Sequence, residues 1–115
     1  MKKAFLLAMV LACPLAAQAA GTPVCAGDTG GDKSVGVTAG MFIVNRFNMK
    51  CSTNVFLAYE EDATAVGVAS ASLKGKNIFA GGSSGGQVKR VAECASGVCN
   101  ASSAADATAA ALAGS

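Results

Sequence analysis

The sequence predicts a small, mostly β protein, an antiparallel meander or sandwich stapled by two disulfides and followed by a flexible Ala-rich C-terminal tail. Three observations carry that prediction. Apolar residues recur at period two through the middle of the chain, turn residues punctuate it about every eight to twelve positions, and an export segment leaves an even four cysteines behind it. The alternative is an α+β fold with a helix over 62–74 or 86–95.

The first nineteen residues differ from the rest. Met1-Lys2-Lys3 is a basic start, Ala4 to Ala12 is an unbroken apolar run, Pro14 ends it, and Ala17-Gln18-Ala19 puts small residues at the spacing a signal peptidase accepts. Residues 1–19 therefore read as a signal peptide, cut after Ala19 or one residue later after Ala20. The run is too short for a membrane-spanning helix, which needs about twenty residues. A competing exit is written in Val10-Leu11-Ala12-Cys13, which resembles a bacterial lipobox and would lipidate Cys13. The expected location is the periplasm or the exterior; the alternative is a lipid anchor in the envelope.

Cleavage changes the charge. Of nine Lys and Arg, Lys2 and Lys3 leave with the signal, and seven remain against seven acids. Lys74, Lys76, Lys89 and Arg90 could form a local basic patch, but in a nearly neutral chain with one tyrosine and no aromatics interleaved among them the expectation is a solvated face, with no nucleic-acid partner. His and Trp are both absent, which excludes every mechanism that uses an imidazole as base, shuttle or ligand.

Residues 20–99 read as one domain with a thin core. Alanine accounts for 25 residues and glycine for 14 of the 115. Each ordered residue costs about 1 to 2 kcal/mol of backbone entropy, so extra constraint is expected. Cys25, Cys51, Cys94 and Cys99 supply it in an oxidising compartment. The favoured pairing is Cys94 with Cys99, across Ala95-Ser96-Gly97-Val98, and Cys25 with Cys51. Crossed bridges, Cys51 to Cys94 and Cys25 to Cys99, are the alternative, and spacing alone does not choose. A zinc or redox reading lacks two-residue cysteine spacing and any histidine.

Along the exported chain, residues 20–36 carry turn residues at almost every step and are expected to be an irregular lead-in anchored at Cys25. Asp28 and Asp32 fall short of the calcium-loop pattern. Met41 to Met49 alternates as a strand, with Met41, Ile43, Phe47 and Met49 on one face. A second strand puts Val55, Leu57 and Tyr59 opposite Phe56 and Ala58, and stops at Glu60-Glu61-Asp62. In a strand Glu60 and Glu61 point to opposite faces, which argues against a paired-carboxylate site. Thr64 to Ser72 sets Val66, Val68, Ser70 and Ser72 against Ala65, Gly67, Ala69 and Ala71, and that small-residue face predicts close approach by another layer. Lys74-Gly75-Lys76-Asn77 is a turn, Ile78-Phe79-Ala80 a short strand, Gly81 to Gly86 a hairpin loop without the lysine of a phosphate-binding loop, and Gln87 to Cys94 a last element fitting strand or helix. Residues 100–115 hold one large apolar side chain, Leu112, and are expected to be a low-complexity tail.

No catalytic constellation emerges, no cofactor is implied, and Lys89 is the only conceivable activator near Ser83 or Ser84. The expectation is an exported, non-enzymatic binding, accessory or envelope-associated protein with a protein or envelope partner. Lys74, Lys76, Ser83 and Ser84 are the expected contact surface, being polar and at loops. The alternatives are a lipoprotein anchored through Cys13 and a surface protein that self-assembles by edge-strand pairing.

Overall fold

The computed structural model describes residues 21–28, 30–85 and 87–113. The cleavage and lipidation expectations at Cys13, Ala19 and Ala20 lie outside them. The strands are β1 (Thr22–Ala26), β2 (Gly31–Val35), β3 (Phe47–Cys51), β4 (Val55–Glu61), β5 (Val66–Ser72), β6 (Asn77–Gly82) and β7 (Lys89–Glu93); a single 3-10 turn, Ala95–Gly97, leads into helix α1 (Ala101–Leu112). Among the described residues no helix is long and apolar enough to cross a membrane.

Five strands form one antiparallel sheet in the order β1-β4-β5-β6-β7, and β2 and β3 form a separate two-stranded ribbon inserted between β1 and β4. The expected meander is the run β4 to β7, each strand pairing with the next through a short connection. Both disulfides take the favoured pairing, Cys25–Cys51 and Cys94–Cys99. The first ties the ribbon to β1; the second ties the end of β7 to the chain just before α1. By loop entropy the two contribute about 3.5 and 2 kcal/mol respectively.

One sheet face is covered by α1. Phe56, Ala58, Ala69, Ala71, Ile78 and Ala80 are buried there against Ala104, Ala107 and Ala111. The small face of β5 explains how close the layers come. A Cβ added at Gly67 would lie 2.8 Å from the Ala111 carbonyl carbon, and one at Gly82 would lie 3.2 Å from the same atom, so helix backbone rests on strand backbone. Apolar area per residue is small at such an interface, and fit replaces bulk.

Three expectations need correction. The tail expected over 100–115 is a helix from Ala101 to Leu112: Asn100 caps α1, accepting from the Ser103 N–H at 3.1 Å while Ser103 Oγ accepts from the Asn100 N–H at 3.1 Å, a reciprocal pair that satisfies two end groups. Docking on the small-residue face supplies the stability that alanine propensity alone does not. The lead-in at 20–36 contains β1 and β2, because pairing with β4 and β3 overrides a turn-rich composition, with Gly27 at φ 75° making the exit from β1. The strand expected over 41–49 begins only at Phe47, since Met41 to Arg46 is drawn off by other partners. The rival helices over 62–74 and 86–95 are absent; β5 and β7 occupy those stretches.

Candidate functional site: an apolar cleft on the uncovered sheet face

Period-two alternation that sends Ala58 and Ala69 toward the helix must send their neighbours the other way. Leu57 and Tyr59 on β4, Val66 and Val68 on β5, and Val24 on β1 therefore carry an apolar surface on the face that α1 does not cover. The ribbon arches over it. Val35 and Phe47 are cross-strand partners, Met49 follows on the same side, and Cys51 at the end of that row is joined to Cys25. Phe42 and Ile43 from the connection between β2 and β3 complete a cleft of about 330 Å³.

The roof is held by the acidic run. Glu61 accepts from the Ile43 N–H at 2.8 Å, and the Asp62 carbonyl accepts from the Phe42 N–H at 2.8 Å. On the opposite face, the Thr108 hydroxyl lies 3.1 Å from Glu60 Oε2 and 2.7 Å from the Ala105 carbonyl, which also accepts from the Gly21 N–H. Asp62 closes the β4–β5 turn, its Oδ1 accepting from Thr64 N–H at 2.7 Å, Thr64 hydroxyl at 2.9 Å and Ala65 N–H at 2.8 Å. The Thr64 N–H, the Thr64 hydroxyl and the Ala65 N–H, in that order, hold its carboxyl below the ordinary value of 3.8. The three acids thus have three separate structural tasks.

The cleft is open. Phe42 is 41% exposed, Phe47 47% and, beyond its mouth on β6, Phe79 45%. Single exposed apolar residues are ordinary, but a roofed apolar cleft rimmed by half-exposed phenylalanines is the kind of concavity that holds ligands. Toward the β5–β6 turn the same face carries a second hollow of about 250 Å³, lined by Val55, Ser70, Ser72, Lys76, Asn77 and Phe79.

The sequence-predicted contact residues fall at opposite ends of β6. Lys74 and Lys76 are exposed at the β5–β6 turn, beside the hollow, whereas Ser83 and Ser84 sit at the β6–β7 turn. Six residues of strand separate the pairs, about 20 Å. Both serine hydroxyls are occupied: Ser83 Oγ accepts from the Val66 N–H at 2.9 Å, and Ser84 Oγ donates to the Leu112 carbonyl at 3.4 Å. Asp32 makes an exposed ion pair with Lys50 at 3.9 Å, and among the described residues no group of three His, Cys, Asp or Glu gathers as for a metal. The outer edge strand β7 carries Lys89, Arg90 and Glu93, charges of the kind that blunt edge-to-edge pairing.

Sequence reasoning missed the cleft. Its signal was present in the second apolar faces of β4 and β5, which the core under α1 does not use. Comparison with protein-family models, with curated proteins and with solved structures finds no match to this chain.

Proposed function

We propose that the protein is an exported, non-enzymatic binding protein of the cell envelope or exterior, and that it works by taking an apolar group into the cleft between the ribbon and the uncovered sheet face. The single observation that carries this reading is a roofed cleft of about 330 Å³ whose walls are aliphatic and aromatic side chains from β1, β4, β5, the ribbon and its connection. Such a cavity is large enough to matter: a void of about 150 Å³ lined by Leu, Ile and Phe already takes up benzene. Export is supported by the basic and apolar start of the chain and its small-residue cleavage site, and two disulfides suit an oxidising compartment.

The test is titration with the neutral apolar fluorophore N-phenyl-1-naphthylamine. The expected result is saturable binding by the wild-type protein and at least a tenfold loss, by about 1.4 kcal/mol or more, in Val68→Arg, which puts a charge at the cleft wall while leaving the α1 face intact. Circular dichroism of the variant checks that the fold is kept. If wild-type protein gives no saturable signal, the reading fails.

A further inference from the structure

The apolar cleft and the hollow by the β5–β6 turn are neighbours on one sheet face, and their outer ends differ in charge. Leu57 in the cleft is the cross-strand partner of Ser70 in the hollow, and Ser70 is in turn the partner of Phe79. At the cleft end stand Glu61 and Asp62. At the hollow end stand Lys76 in its lining and Lys74 beside Ser72, with Arg90 paired to Glu93; the acid Asp28 follows Gly27, whose N–H donates to the Val55 carbonyl, so that end carries a surplus of one positive charge, and the two lysines are its unpaired cations. Neither Lys74 nor Lys76 has an acidic partner among the described residues. The half-buried Ser70 hydroxyl, between the two regions, also has no hydrogen-bond partner among them.

We propose that the ligand is a fatty acid, its acyl chain lying in the cleft and its carboxylate at Lys74 and Lys76, with the Ser70 hydroxyl beside its path. This rests on the cleft being the binding site and names the ligand class. The volume suits a single chain: scaled from the void that holds six benzene carbons, about 330 Å³ admits on the order of a dozen carbon atoms. Among the lining side chains only Tyr59 carries a polar group, a single hydroxyl, so orientation comes chiefly from cations at the rim: the ribbon offers one, Lys33, the cross-strand partner of Met49, whereas the β5–β6 turn offers two side by side. A carboxylate suits that end better than a phosphate. Arg90, the one guanidinium there, already donates to Asn77 Oδ1 and Glu93 Oε1 at 3.3 Å each, and what remains is two point-charge ammonium groups without a bidentate fork or a helix N-terminus. The lysine turn is itself anchored, since the Gly75 N–H donates to the Ser72 carbonyl at 2.9 Å and the Cys94 N–H to the Lys76 carbonyl at 2.7 Å.

The experiment is displacement of N-phenyl-1-naphthylamine by dodecanoate, dodecanol and dodecyl phosphate, each below its micelle concentration, on wild-type protein and on Lys74→Gln/Lys76→Gln. In the wild type, dodecanoate is expected to displace the probe at about one tenth the concentration dodecanol needs, the size of one charge-assisted contact. In the double variant that preference is expected to fall to within about twofold, while the neutral probe keeps its own affinity because the cleft is untouched. Equal potency of dodecanoate and dodecanol on wild-type protein overturns the head-group site and leaves the cleft standing. Preference for dodecyl phosphate over dodecanoate overturns the carboxylate assignment. Failure of the probe to bind at all overturns the cleft and this inference together.

Discussion

Glu61 accepts a hydrogen bond at 2.8 Å from the backbone N–H of Ile43, eighteen residues before it, and so fastens the connection between β2 and β3 over the end of β4. Together with the Phe42 N–H donating to the Asp62 carbonyl at 2.8 Å, this carboxylate makes the connection a cleft wall. Glu61→Ala is expected to cost about 1 kcal/mol of stability, raise the amide exchange rate at Ile43, and weaken the fluorophore severalfold; Glu61→Gln keeps an acceptor and most of the affinity. Exchange at Ile43 unchanged in the alanine variant would show that the loop is held by other means.

The ribbon depends on its covalent tie. Replacing Cys25 and Cys51 with serine is expected to lower stability by about 3.5 kcal/mol and to abolish probe binding, because β2 and β3 lose their bond to β1 while the helix-covered face is untouched. The Cys94 and Cys99 pair encloses a shorter loop, and its loss is expected to cost about 2 kcal/mol with the cleft still occupied by probe. Urea midpoints and fluorescence on the two variants separate these outcomes.

The helix interface tolerates no added methyl. In Gly67→Ala the new Cβ would overlap the backbone at Ala111 and Leu112, neither of which is a flexible side chain able to move aside. A loss of about 2 to 3 kcal/mol follows, a fall of about 10 to 20 °C in Tm. Gly36→Ala, with open space around it and no positive φ, is the control and is expected to melt near the wild-type temperature. Similar melting of the two variants would remove α1 from the sheet face.

How much of this was legible in the sequence varied with the kind of signal. Alternation in 55–59 and 64–72 was local and clean, so β4 and β5 followed from it, but β4 runs on through Glu60 and Glu61, where the acidic run had been expected to stop the strand. The small face of β5 even announced a second layer, but the layer itself went unread: Asn100 and Ser103 form a capping box that the low-complexity composition of 100–115 hid, and an alanine helix is worth little until its partner face is known. The stretch 41–49 failed for a different reason. Its alternation is real, but the hydrogen bonds that decide its path come from Glu61 and Asp62, which lie far along the chain. Distant partners also explain the cleft, whose walls are contributed by segments from Val24 to Val68.

The cap gives a direct check on the helix. Asn100→Ala removes the acceptor for the Ser103 N–H and is expected to cost about 1 kcal/mol, with Asn100→Asp close to wild type. Thermal melts of the two variants decide it, and an alanine variant as stable as the parent would place α1 in a state other than the docked helix.

Asp62 sets the acid limb of stability at the β4–β5 turn. Its carboxylate takes three hydrogen bonds, from the Thr64 N–H, the Thr64 hydroxyl and the Ala65 N–H, which the β4–β5 turn of the folded chain holds in place together. They favour the charged form, so the folded pKa lies below the ordinary 3.8. For a carboxyl shifted down on folding, the unfolded chain binds the proton more readily; the stabilisation is complete above about 3.8 and is lost as pH falls through the lower folded value. Following the Asp62 side-chain carboxyl carbon by NMR should give a midpoint below 3.8, with the Thr64 and Ala65 amide shifts moving in step. In Asp62→Asn an acceptor oxygen remains without the charge, so the turn is expected to persist and its amide shifts to stop responding to acid in that range. A midpoint at or above 3.8 in the folded protein would mean that the three donors do not converge on this oxygen in solution.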